Sequence, residues 1–272
     1  MNISQETSIN MNKNVLLETY RGVMAGDEYS PRGSKVREVL NAQLIIDPLY
    51  PVTSFESRNF NLSYAKEEVL WYLRGNRFDK SICDVSGTWQ TLVQPDGGLN
   101  SNYGQVIFNG QRHFDWVIQE LLRDRDSRRA VIILGDGEML SKDNTDHRCT
   151  LYISYMIREN KLIQMVHMRS NDVVYGLTND LFFFGLLQQM IYVCLLPHYP
   201  DLELGWYMHM ANSMHAYEKH FYMLDNIISK EDWYTIDIPR ISSSEEVDWL
   251  RYCQGKGKPK EQFAFANWLL SR

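Results

Sequence analysis

The chain is poor in cysteine. Only Cys83, Cys149, Cys194 and Cys253 occur in 272 residues, without a CxxC pair and without histidines at zinc-ligand spacing. That pattern excludes a disulfide scaffold, gives no reason to expect a metal, and fits thiols kept reduced in a cytoplasm. Long apolar runs are missing too. Nothing approaches the roughly 18 uninterrupted apolar residues of a membrane span. The start, MNISQETSINMNKN, lacks the apolar core of a secretion signal. No membrane partner is expected. Positive charge is in deficit, with 28 Lys and Arg against 34 Asp and Glu and a formal net charge of −6. Such a protein is a poor nucleic-acid binder, although a local arginine cluster can still grip one phosphate. There is no internal repeat and no low-complexity linker. With 44% hydrophobic residues, residues 1–272 are expected to form a single domain around one core.

Apolar spacing predicts a helix over 12–25, with Val15, Leu16, Tyr20 and Val23 near helical period. SPRGSK at 30–35 reads as a turn and VREVLNAQLIID as a strand. A second helix is predicted over 63–74, with Ser63 as N-cap and Gly75 as its stop, and a third over 113–124. QPDGG at 94–98 is a turn, and Ala130–Leu134 reads as a strand. TLYISYMI and KLIQMVHM flank 158–161, which fits a hairpin. An apolar helix over 180–195, a strand near 203–211 and a helix from about 216 to 228 follow. From about 241 the chain is charged and Gly/Lys-rich, and reads as a mobile tail or lid. Long antiparallel pairs with segregated helices make the fold class α+β.

Several residues carry chemistry. Cys149 follows His147 and Arg148 at the start of a strand, and neighbouring cations favour the thiolate, the nucleophilic form. A half-buried structural cysteine is the competing account, and it suits Cys194 better. Arg128 and Arg129 stand at the mouth of a strand and can hold phosphate bidentately, if they are not simply a solvated turn. Arg169, Ser170, Asn171 and Asp172 mass at the end of another strand, a common place for a ligand. Glu68 falls close to the apolar face of its helix, where desolvation raises a carboxyl pKa toward proton-transfer range. An edge residue reaching solvent is the alternative. His215 and Tyr217 share one face if that segment is extended, and form a polar helix start if it is not.

Taken in order, the E-x-x-W, NSNYG, SRR, lone Cys, RS-x-D-x-x-x-G and H-x-Y elements resemble the thymidylate synthase family over roughly residues 15–230. The resemblance implies a mixed central sheet flanked by helices, and a homodimer with shared active sites. It also implies a folate co-substrate, 5,10-methylenetetrahydrofolate. By that resemblance Cys149 attacks C6 of a pyrimidine nucleotide and Glu68 moves protons through ordered water. Arg169, Ser170 and the loop residue Arg32 hold the phosphate, with Asn171 and Asp172 beside them. Arg128 and Arg129 reach the partner subunit's nucleotide. His215 and Tyr217 bond the sugar, and Trp89, Tyr103 and Gly176 belong to the folate side.

The departures are informative. The histidine usual after the nucleophile is Thr150, the glutamine usual before Arg-Ser is Met168, and the aspartate of G-D-x-H is Ser213. The asparagine usual eleven positions after the phosphate arginine is Asp180. An asparagine amide matches the N3–H and O4 of uracil, whereas a carboxylate can accept from the 4-amino group of cytosine. Asp180 is therefore expected to read cytosine, a helix N-cap being its local alternative. The same departures resemble one branch of the family, the bacteriophage deoxycytidylate hydroxymethylases. The implied reaction gives 5-hydroxymethyl-dCMP. The alternatives are a methyl product by hydride transfer, a dUMP methylase, and a non-catalytic nucleotide-binding or phage structural protein.

Overall fold

The computed structural model describes residues 5–110, 112–137, 140, 144–252 and 255–271; Cys253 lies outside them. In chain order the elements are α1 (Gln5–Ala25), β1 (Asp27–Tyr29), β2 (Val36–Ile46), β3 (Thr53–Phe55), α2 (Leu62–Arg74), α3 (Ser81–Val85), α4 (Gly87–Gln90) and α5 (His113–Arg123). Then come β4 (Val131–Ile133), β5 (Thr150–Arg158), β6 (Lys161–Met168), β7 (Asn171–Asp172), α6 (Leu177–Leu195) and β8 (Glu203–Tyr217). The chain closes with α7 (Phe221–Lys230), β9 (Trp233–Thr235), α8 (Ser244–Tyr252) and α9 (Ala264–Leu270). The class is α+β, with mixed strand pairing and flanking helices.

The chain folds as two compact units. One takes in the chain up to Phe60, Gln164–Gln188 and Gly205–Asp237. In it β2 lies antiparallel between β1 and β8, with Glu38 opposite both Asp27 and His215. The short β7 runs parallel to β8, setting Asn171 against Met214 and Asp172 against His215. Helix α1 covers β2, and its Leu16, Tyr20 and Val23, spaced for one helical face, are fully buried. The expected helix over 12–25 thus starts earlier, at Gln5.

A second correction concerns β8. The alternation of buried residues runs through Tyr207, His209 and Ala211, then changes phase at exposed Asn212, so that Met214 and Ala216 are buried instead. The register places this break opposite Asn41, which is left-handed at φ 55°. A break in the period of two imitates a strand end. That is why a helix from about 216 was expected where the strand continues to Tyr217 and α7 begins only at Phe221.

The other unit comprises Asn61–Ile163, Gln189–Leu204 and the chain from Ile238. Here β4 pairs antiparallel with β5, Ile132 against Ile153, and α5 packs on β4. Strand β5 turns into β6 through Glu159 and Asn160, both left-handed, the geometry of a two-residue hairpin. Helix α2 is capped by Asn61, whose side chain accepts from the Tyr64 N–H, and not by Ser63; such a cap contributes about 1 kcal/mol. It stops at Gly75, left-handed as expected. The segment expected as a tail or lid carries α8 and α9, both packed on α2. Lys66 of α2 donates to the Trp268 and Ser271 carbonyls at the end of α9, at 2.7 and 3.1 Å.

Candidate active site

The predicted residues fall into two clusters, one in each unit. In the second unit, Ala65, Glu68, Val69 and Tyr72 share a face of α2, and Glu68 is only 7% exposed. Tyr64, one turn earlier, donates its hydroxyl to Glu68 Oε1 at 2.7 Å, and Trp89 Nε1–H donates to the Tyr64 oxygen at 2.9 Å. Trp89 also packs on Trp71, with ring centroids 5.0 Å apart. Burial raises the Glu68 carboxyl to about 7, while the Tyr64 hydrogen bond pulls the other way. A group at that value exchanges protons in either direction near neutral pH.

Cys149 is a half-buried thiol immediately before β5. Its approach is fixed from the NSNYG turn. Asp146 is buried and accepts from the Ser101 N–H at 2.8 Å and from the Ser101 hydroxyl. Arg148 donates to the carbonyls of Asn100 and Leu134 at 2.6 and 2.9 Å. Tyr103 stacks flat on Tyr72, 5.2 Å between centroids, and accepts from the Thr150 N–H at 3.4 Å. The turn needs Gly104, because a Cβ there would lie 1.6 Å from the Tyr72 carbonyl oxygen. Sequence reasoning missed Tyr64, Ser101 and Asp146. Tyr64 alone left a signal, its spacing of one turn from Glu68. Burial pushes the Cys194 thiol up to about 12, which suits packing better than nucleophilic attack, and burial also raises Cys83. Arg128 and Arg129 are exposed just before β4.

In the first unit, Arg169 is exposed at the end of β6. The Ser170 hydroxyl lies 3.4 Å from His215 Nδ1. His215 and Tyr217 lie on extended backbone with rings 5.2 Å apart, so the polar-helix alternative for them is excluded. Asp172 sits opposite His215 and accepts the Val174 N–H at 2.8 Å. Arg32 is exposed in the turn at Pro31–Gly33 with φ 51°. Ser213 donates to the Glu38 carboxylate, so an acidic group from β2 stands beside the position where the family carries aspartate.

Asp180 is not an N-cap. Helix α6 begins at Leu177, and the Asp180 N–H already bonds the Gly176 carbonyl at 2.9 Å. Its Oδ2 accepts from Asn171 Nδ2 at 3.0 Å. Asn171 Nδ2 also lies 2.8 Å from His209 Nε2, and His209 Nδ1 lies 2.6 Å from the Tyr207 hydroxyl. Gly176 backs this arrangement, since a Cβ there would stand 2.8 Å from Asn171 Oδ1. His209 and Tyr207 left no sequence signal beyond their alternation in a buried strand.

The family model for thymidylate synthase matches residues 21–252, and the chain belongs to that family. It is 30% identical over 220 residues to the deoxycytidylate 5-hydroxymethyltransferase of Enterobacteria phage T4, covering 74% of this chain and 86% of that protein. The phage T6 protein of the same name is 30% identical over 71% of this chain and 80% of its own length. A deoxyuridylate hydroxymethyltransferase of Bacillus phage SP01 is 24% identical over 72% of this chain and 54% of its own length. The family uses methylenetetrahydrofolate as co-substrate. Among the described residues, no group of three His, Cys, Asp or Glu could hold a metal ion, and no helix is long and apolar enough to cross a membrane.

Proposed function

We propose that this protein transfers a one-carbon unit from 5,10-methylenetetrahydrofolate to C5 of dCMP and adds water, giving 5-hydroxymethyl-dCMP and tetrahydrofolate. The observation that carries the choice of base is Asp180, a carboxylate inside α6 held by the Asn171 amide. The named activity of the phage T4 and T6 relatives supports the same choice.

The roles follow from the chemistry. The Cys149 thiolate adds to C6, which makes C5 nucleophilic toward the one-carbon unit that the folate supplies. C5 then loses its proton as the bond from the one-carbon unit to the folate nitrogen breaks, releasing tetrahydrofolate and leaving an exocyclic methylene. Water adds its hydroxyl to that carbon and gives up a proton, and the electron pair returns through C5 to break the sulfur–C6 bond and release the thiolate. Glu68, poised near 7, takes and returns the protons and orients the water. Asp180 accepts from the 4-amino group. Arg169, Ser170 and Arg32 take the phosphate, while His215 and Tyr217 hold the sugar hydroxyl. Asn171 and Asp172 complete the nucleotide side. Trp89 suits a folate ring: its indole is held in place by the N–H bond to Tyr64 and by packing on Trp71. Tyr103 and Gly176 complete that assignment. A homodimer, with Arg128 and Arg129 serving the partner's nucleotide, belongs to the reading. Exposed Leu40 and Ile45 on β2 support it, as sheet residues that a partner would cover. The protein is read as working in the cytoplasm of a phage-infected host.

The test is incubation of the purified protein with methylenetetrahydrofolate and either dCMP or dUMP, with products identified by mass. The expected result is 5-hydroxymethyl-dCMP with release of tetrahydrofolate. A methyl product with dihydrofolate would establish hydride transfer, turnover of dUMP alone would remove the role given to Asp180, and no product from either base would leave a binding protein.

A further inference from the structure

Tyr207 and His209 have no part in binding or proton transfer as described above, yet with Asn171, assigned so far only to the nucleotide side, they form a fully internal chain behind Asp180. Tyr207 and His209 are 0% exposed and Asn171 is 3% exposed. Such buried polar groups are retained only where their hydrogen bonds are satisfied or where an unsatisfied one serves a purpose.

We propose that Asn171, oriented by His209 and Tyr207, is a positioning residue that holds Asp180 as a hydrogen-bond acceptor, and that this chain sets the preference for a 4-amino over a 4-keto pyrimidine. The inference rests on the dCMP reading and deepens it.

The argument turns on which end of the Asn171 amide faces Asp180. Nδ2 is near three acceptors: Asp180 Oδ2 and Met168 Sδ at 3.0 Å, and His209 Nε2 at 2.8 Å. Its two protons go to the two stronger ones, carboxylate and imidazole. The opposite end, Oδ1, is buried without a hydrogen-bond partner and faces Gly176. The amide therefore leaves its oxygen unsatisfied in order to keep its N–H groups toward Asp180 and His209. For His209 to accept at Nε2, its proton must be on Nδ1, where it donates to the Tyr207 oxygen. Burial keeps this imidazole neutral, at about 3, so it has an acceptor nitrogen at every working pH. Polarity then runs one way: His209 donates to Tyr207, and Asn171 donates to both His209 and Asp180.

The reversed amide would set Oδ1 against the carboxylate. Repulsion between the two oxygens would then turn the carboxylate out of the position in which it meets the base edge. With Nδ2 in place, Oδ2 accepts, and the carboxyl meets the base edge as an acceptor for the amino group of cytosine. Gly176 makes the room in which the unsatisfied oxygen sits.

Binding without folate isolates this effect from catalysis. Dissociation constants of dCMP and dUMP would be measured by calorimetry on the full-length protein and on Asn171→Ser, His209→Leu, His209→Gln and Tyr207→Phe, with melting curves to establish folding. The preference for dCMP should fall by about tenfold or more in Asn171→Ser and His209→Leu. It should return in part in His209→Gln, whose amide oxygen can accept from Asn171. Tyr207→Phe, the nearly isosteric change least able to unfold the protein, should lose part of the preference by freeing the His209 tautomer. Equal weakening of both nucleotides, or an unchanged ratio in Tyr207→Phe and His209→Leu, would reduce the chain to a structural role and overturn the proposal. Absence of any dCMP preference in the unaltered protein would instead overturn the dCMP reading itself, and this inference with it.

Discussion

The Tyr64 hydroxyl donates to the Glu68 carboxylate at 2.7 Å, one turn away on the same buried face of α2. Two opposed effects meet there: burial lifts the carboxyl to about 7, and the tyrosine limits the rise. The balance between them gives a prediction. Activity should depend on a group titrating near 7. In Tyr64→Phe, which removes the effect that lowers the pKa, that inflection should move to higher pH. A pH–rate profile measures it, and a downward shift would contradict the geometry.

The same carboxyl makes a stability prediction. Its folded value lies above the ordinary value of 4.5, so between about 4.5 and 7 the folded state binds more protons and stability falls as pH rises. Above 7 the loss is constant, about 3 kcal/mol from the size of the shift. Glu68→Gln should therefore be more stable than the unaltered protein at pH 8 and near parity at pH 4, while losing turnover. Urea titrations at the two pH values check the sign.

Replacing the proposed nucleophile separates chemistry from binding. Cys149→Ala should lose more than about a thousandfold in kcat while binding dCMP with little change. Turnover retained within tenfold would remove covalent catalysis from the mechanism.

Asp180→Asn restores the amide usual in the family and should shift kcat/KM from dCMP toward dUMP by about a hundredfold or more. Competition between the two nucleotides in one reaction reads this directly; an unmoved ratio would mean that the base is recognised elsewhere.

Lys66 ties the end of the chain to α2. It donates to two carbonyls at the end of α9 and lies 4.1 Å from the centre of the Trp268 ring. Lys66→Met should cost about 1.5–3 kcal/mol, the range for hydrogen bonds to a charged group. Faster amide hydrogen exchange over 264–271, with β5 unchanged, would locate the loss.

Much of this protein was determined locally. The 3.6-residue spacing in α1, α2 and α5, the left-handed stop at Gly75, and the two-residue turn at Glu159–Asn160 depend on neighbours in sequence, and so could be read there. So could the motifs around Cys149 and Arg169, and the placement of Glu68 on an apolar helix face. Tertiary structure decided what depends on pairing and burial. Strand β8 continues past Asn212 because β2 supplies its hydrogen bonds through the change of phase, which no local period reveals. Asp180 became an interior helix residue because α6 starts at Leu177. His209, 38 residues from Asn171 in sequence, lies 2.8 Å from its amide only in the folded chain. A carboxyl's pKa, a histidine's tautomer and an amide's orientation are set by the groups that surround them in space, and the sequence alone does not say which groups those are.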